Sequence, residues 1–157
     1  LGDVYKRQSL ERSKQFGADY TVNSKTQDIV AEVQKITNGH GCTVAFDSAC
    51  FPGSLTMIMQ PGIVCNAGRV VPMGFCTVPE KITQQMINGR ELTICGTRMS
   101  LNQWVPTAQK MAEGKYHMEG LATTFVKFSE IEKVFNNIVH PDPAVKKTVI
   151  LFDGAED

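Results

Sequence analysis

Short β-rich runs alternate with helical segments through the first hundred residues, and this pattern predicts an α/β fold built on a parallel sheet with helices on both faces. Two observations carry the expectation. Val, Ile, Phe and Thr concentrate at Thr43–Asp47, Arg69–Phe75 and Glu91–Gly96. Between these runs the apolar residues recur at helical spacing.

The elements come in this order. Ser9 to Phe16 reads as the end of a helix, with Leu10, Ser13 and Lys14 at helical spacing and Gly17 as the stop. Tyr20 to Asn23 is expected as a short strand. Ser24 and Gln27 form a capping box ahead of an amphipathic helix, in which Ile29, Val30, Val33 and Ile36 recur until Gly39 ends the run. A helical stretch from Pro52 to about Cys65 joins the first two β-rich runs. Pro61 and Gly62 fall inside it, and an interior proline costs about 3 kcal/mol, so a kink or break is expected there. A helix near Ile82 to Ile87 precedes the third run.

The remainder changes character. A helix from Gln103 to Glu113 stops at Gly114, a strand spans Thr124 to Lys127, a helix Ser129 to Val139 and a last strand Thr148 to Phe152, with Pro141 and Pro143 marking the final turn. There is no internal repeat.

Composition narrows the function classes. The chain has 157 residues, 42% hydrophobic and 20% charged, enough for a modest globular core. Sixteen Lys and Arg balance sixteen Asp and Glu without a long run of either sign, which argues against nucleic acid or an anionic membrane surface as partner. No apolar stretch nears the roughly 20 residues that span a bilayer, and the start carries no signal-peptide core, so a cytoplasmic location is expected. Cysteines at 42, 50, 65, 76 and 95 fit neither a disulfide framework nor a zinc ribbon, and His40, His117 and His140 are scattered. No metal site is expected within the chain.

Asp3-Val4-Tyr5-Lys6-Arg7-Gln8 resembles the translated end of a transposon used as a sequencing adapter, so residues 1–8 are expected to be foreign and the genuine sequence to begin at Ser9.

Six phrases stand in fixed order: Phe16-Gly17-Ala18-Asp19; Asn38-Gly39-His40-Gly41; Gly68-Arg69-Val70-Val71 with Met73-Gly74-Phe75; Arg90-Glu91-Leu92-Thr93-Ile94 with Gly96-Thr97-Arg98; Glu113-Gly114-Lys115; and Lys146-Lys147. From Ser9 to Phe152 the chain thereby resembles the medium-chain dehydrogenase family, nearest to the zinc-dependent sorbitol, threonine and sugar-acid dehydrogenases. The resemblance implies a carboxyl-terminal fragment of an NAD- or NADP-dependent oxidoreductase. The full-length enzyme would oxidise a secondary alcohol of a polyol, sugar acid or similar small alcohol by zinc-assisted hydride transfer, as a homodimer or homotetramer. Residues 9–98 would form a partial Rossmann domain, residues 99–152 the segment returning to the catalytic domain, and residues 153–157 a tail.

The family's zinc ligands, proton relay and Gly-rich pyrophosphate turn lie in its amino-terminal part, and no GxGxxG occurs here. The isolated chain is therefore expected to be inactive and to contribute no catalytic residue. The family strand order 3-2-1-4-5-6 places the two missing strands between those at Tyr20 and Thr43, leaving a gap at the centre of the sheet.

Ligands of open α/β sheets bind beyond the carboxyl ends of the strands. The resemblance accordingly implies cofactor contacts at Ser48 and Ala49 on the adenosine side, at Met73, Gly74 and Phe75 against the nicotinamide carboxamide, and at Thr97, Arg98 and Met99 on the nicotinamide side. Lys147 would meet the pyrophosphate. Two other functions compete: a zinc-free reductase of quinones or enones using NADPH, and a stand-alone dinucleotide-binding module without catalysis. Zinc ligands upstream would separate the first from the zinc enzymes, and a start codon just before Ser9 would favour the second.

Overall fold

Three parallel strands in the order β1 (Cys42–Asp47), β2 (Val64–Pro72) and β3 (Thr93–Ile94) form the larger sheet. The computed structural model describes residues 2–49, 51–98, 100–116, 120–142, 144–145 and 147–152. Met99, Cys50, His117, Pro143 and Lys146, all singled out above, lie outside the described residues. The chain divides into two units, Ser13–Leu101 and Asn102–Asp157 taken with Leu1–Arg12.

Helix α1 (Gly2–Gln15) crosses that division and ends as expected at Gly17, whose φ of 96° suits a residue without Cβ. The amides of Gly17 and Ala18 donate to the carbonyls of Lys14 and Ser13, each at 3.0 Å, and satisfy two acceptors at the helix end. Residues 20–23 are not a strand. No described strand lies beside them, and an extended segment without a partner leaves its backbone groups unpaired. Asn23 instead heads a turn, its carbonyl accepting from Thr26 and Gln27 and its amide donating to Gln27 Oε1 at 2.8 Å. The cap of helix α2 (Ile29–Ile36) is Asp28 rather than Ser24: Asp28 Oδ1 accepts from the amides of Val30 and Ala31 at 2.9 and 3.2 Å.

The stretch from Pro52 to Cys65 is not one helix. Helix α3 covers only Ser54–Ile58, and β2 already begins at Val64, five residues earlier than expected, and stops at Pro72. Pro61 has no amide hydrogen to continue the helix, and Gly62 turns the chain at φ 91°. The break expected there therefore separates a helix from a strand. Between the pairs Cys42↔Val64 and Val44↔Arg69 the register shifts, and residues 65–68 bulge out with Ala67 at φ 56°. Gly41 sits under this bulge at φ 79°, where a Cβ would lie 3.0 Å from Cys65 N and 3.1 Å from the Ile63 carbonyl.

Met59, Ile63, Val64, Val70 and Leu92 form the core of this unit. Ile29 and Val30 of α2, Leu55 and Ile58 of α3, and Met86 and Ile87 of helix α4 (Gln84–Asn88) pack against it. By the alternation of a strand, Val44 and Phe46 point the other way from Ala45, which packs on the core, and both are exposed. Among the described residues β1 has a partner on one side only. β3 is shorter than the expected Glu91–Gly96, because Glu91 takes φ 54° and ends a tight turn from α4.

In the second unit, helix α5 (Trp104–Ala112) ends at Gly114, and β4 (Thr124–Lys127) pairs in parallel with β5 (Thr148–Leu151) in register from Thr124↔Thr148 to Lys127↔Leu151. A 3-10 turn over Phe128–Glu130 and helix α6 (Ile131–Val139) connect them. Val126 is buried and Phe128 stacks on Phe152 with centroids 5.1 Å apart.

Candidate functional site

All three strands of the larger sheet point their carboxyl ends the same way, and the segments leaving neighbouring strands meet there. Asp47, the last residue of β1, is buried and ties three segments together. Its Oδ2 accepts from Ser54 Oγ at 2.7 Å, its Oδ1 from the amide of Ala49 at 3.1 Å, and its carbonyl from the amide of Met73 at 2.9 Å. The loop after β1 and the loop after β2 are thus fixed to one residue. Beyond β3, the amide of Cys95 donates to the Val70 carbonyl at 2.9 Å and Thr97 Oγ1 to the Pro72 carbonyl at 3.0 Å, carrying the third chain segment to the same edge.

Onto this frame the sequence-predicted residues fall together. Ser48 Oγ lies 3.5 Å from Met73 Sδ, and the Arg98 guanidinium stands 5.0 Å over the exposed ring of Phe75. Gly74 is half-buried between Met73 and Phe75, and Ala49 is held by Asp47. Lys147 stands in the other unit: its side chain is exposed, and its backbone pairs with Thr123, whose amide donates to the Lys147 carbonyl at 2.9 Å.

Three residues that organise this edge have no place in the sequence-based set. Asp47 and Ser54 are seven apart and could have been noticed as a strand-end acid facing a helix-start hydroxyl. Glu80 carries no local signal. It reaches back 27 residues to accept from the amide of Gly53 at 2.7 Å, and 24 residues to accept from Thr56 Oγ1 at 2.5 Å and the Thr56 amide at 3.3 Å. These bonds, the Thr56 hydroxyl's first, hold the Glu80 carboxyl below its ordinary pKa, while partial burial and the Asp47 charge oppose them. A depressed carboxyl stabilises the fold above its unfolded pKa, and that contribution is lost as pH falls through the folded value.

A cavity of about 760 Å³ opens at the opposite, amino end of the strands, lined by Gln34, His40, Thr43, Cys65, Asn66 and Arg90. Its principal polar groups are already committed to backbone. Gln34 Nε2 donates to the Gly62 carbonyl at 2.5 Å, and Arg90 donates to the carbonyls of Met59, Gln60, Val64 and Met86. Size alone does not make it the site. Among the described residues no three His, Cys, Asp or Glu side chains gather at metal-binding range.

Residues 4–113 match the family model described as zinc-binding dehydrogenase. L-threonine 3-dehydrogenase of Pyrococcus horikoshii is 32% identical over 131 residues, covering 80% of this chain and 36% of that protein. (R,R)-butanediol dehydrogenase of Neisseria gonorrhoeae is 25% identical over 143 residues, covering 89% and 40%. Among solved structures, the alcohol dehydrogenase rspB of Escherichia coli CFT073, in complex with NADH, superposes with a TM-score of 0.78 at 27% identity, covering 91% of this chain and 41% of that one. The chain spans about two fifths of the length of these proteins.

Asp47→Ala should leave the buried Ser54 hydroxyl without its acceptor and cost about 1 to 3 kcal/mol. A urea titration reads this as a lower midpoint, and an unchanged midpoint would show that Asp47 does not hold the edge together.

Proposed function

The chain belongs to the zinc-binding dehydrogenase family, and on that premise we propose that it forms the nicotinamide-side floor of the cofactor cleft in an NAD- or NADP-dependent alcohol dehydrogenase. The full-length enzyme acts on a secondary alcohol of a polyol, sugar acid or similar small alcohol. One observation carries the reading: Ser48, Ala49, Met73, Gly74, Phe75, Thr97 and Arg98, from three separate strand ends, share one edge.

These residues fit a dinucleotide. An exposed apolar face at Met73 and Phe75 lies beside backbone amides and carbonyls and one cation, the mix that a flat, amide-bearing ring requires. Met99, outside the described residues, is assigned to the cofactor from the sequence alone. When bound, the nicotinamide accepts or returns the hydride. The chain's own part is to hold the ring. Gly74 lets backbone come close because it lacks a Cβ, and the Phe75 ring, backed by Arg98, limits how far the carboxamide side can tilt. In this reading the metal and the proton relay belong to the rest of the enzyme, and the 157-residue chain alone is expected to oxidise no alcohol.

β3 also serves assembly in this reading. Because the Cys95 amide bonds to Val70, the intervening Ile94 amide points outward from the sheet. That outward edge is the seam between two copies. Ile94→Pro in the full-length enzyme should remove the outward donor and turn oligomers into monomers or aggregates by light scattering, whereas an unchanged oligomer rules the seam out.

Gly74→Val tests the floor itself. It should displace the ring from its near-attack position and lower turnover and cofactor affinity by on the order of tenfold in the full-length enzyme, with the fold retained by circular dichroism. Wild-type turnover and affinity would reduce Met73–Phe75 to an ordinary turn.

A further inference from the structure

Glu80 lies outside the set of residues assigned to the cofactor, yet it is the bond between the two loops that carry most of them. The loop after β2 leaves the sheet at Met73, whose amide is pinned to the Asp47 carbonyl, and runs past Gly74 and Phe75. Seven residues later Glu80 anchors it again, with one carboxylate oxygen on the Gly53 amide and the other on the hydroxyl and amide of Thr56. Gly53 and Thr56 in turn stand just beyond Ser48 and Ala49, where the loop after β1 enters α3. The nicotinamide-side segment is therefore held at both ends, first by a backbone bond and then by a carboxylate.

We infer that Glu80 is a positioning residue for the cofactor: it fixes the Met73–Phe75 segment against the loop of Ser48 and Ala49. It touches neither ring nor alcohol. The inference rests on the proposed cofactor edge, and it goes further by naming what sets the shape of that edge. Without the carboxylate, residues 74–80 would lose their tie to the loop after β1 and keep only the Met73 bond, the Arg98 contact of Phe75 and the packing of Ile82, so each binding event would have to order more of the segment. The cost then falls on cofactor capture rather than on the chemical step.

The test uses the full-length enzyme, with NADH fluorescence titration and steady-state kinetics on Glu80→Ala and Glu80→Gln. Glu80→Ala should raise the cofactor KM and Kd on the order of tenfold, with kcat and the alcohol KM within about twofold of wild type. Glu80→Gln keeps one carbonyl oxygen to accept from Gly53 or Thr56 but loses the second acceptor and the charge, so it should raise the cofactor KM by only about threefold with kcat unchanged; should the alanine variant fail to accumulate, a wild-type cofactor KM in Glu80→Gln overturns the inference. Hydrogen exchange should show faster loss of label protection at Gly53, Thr56 and Met73 in Glu80→Ala, while Val70 and Val71 in β2 stay protected. Faster exchange at Gly53 and Thr56 with an unaltered cofactor KM would make Glu80 a cap for α3 and overturn the inference, as would an equal fall in kcat for both variants. Gly74→Val keeps the two readings apart. If it leaves cofactor affinity unchanged, the cofactor edge itself is misplaced; if it weakens affinity while both Glu80 variants do not, only the role of Glu80 fails.

Discussion

Charged side chains from three other parts of the chain bind the two ends of helix α3, a segment of only five residues. A helix this short does not persist on its own, since isolated helices below about 12 to 15 residues are marginal in water. Its cap position is Gly53, at φ 90°, with no side chain to satisfy the first amides. Glu80 takes that place at the amino end, accepting from the amides of Gly53 and Thr56, while Asp47 holds the Ser54 hydroxyl, and the Arg90 guanidinium takes the carbonyls of Met59 and Gln60 just past the other end. Two carboxylates at the positive end of the helix and a cation at the negative end both favour the helix electrostatically. Helix α3 lies in the crossover between β1 and β2, which pair in parallel.

The same bonds make the two ends of the sheet unlike. At the amino end, Arg90 and Gln34 spend their donors on backbone carbonyls, and the bulge of residues 65–68 folds over Gly41. At the carboxyl end, the carboxylates face inward onto α3 and leave the outer surface to Met73, Phe75 and Arg98. An exposed aromatic ring with a cation over one face suits a flat ligand that carries both apolar and amide surface.

Much of this was legible in the sequence. Gly17 and Gly114 mark helix ends because left-handed backbone favours glycine, and Thr124–Lys127 stands out as a short β-rich run ahead of a helix. The long apolar run from Leu55 to Val64 was not legible as helix, loop and strand, since the buried face of a short helix and that of a buried strand share the same residue types. Residues 20–23 carry a strand's composition but not its partner, and composition cannot supply one. The strand-end positions of the candidate site could be read from topology, whereas Glu80 and Arg90 could not, because they bond to residues 24 to 31 positions away.

In the proposed reading NADH binds the carboxyl edge held by α3 and not the cavity at the amino end. Hydrogen exchange of the full-length enzyme with and without NADH addresses it directly. Slowed exchange is expected at residues 48–49, 73–75 and 97–98 on binding, with residues 39–43 and 62–66 unchanged. Slowed exchange confined to residues 39–43 and 62–66 would place the cofactor at the opposite end of the sheet and contradict it.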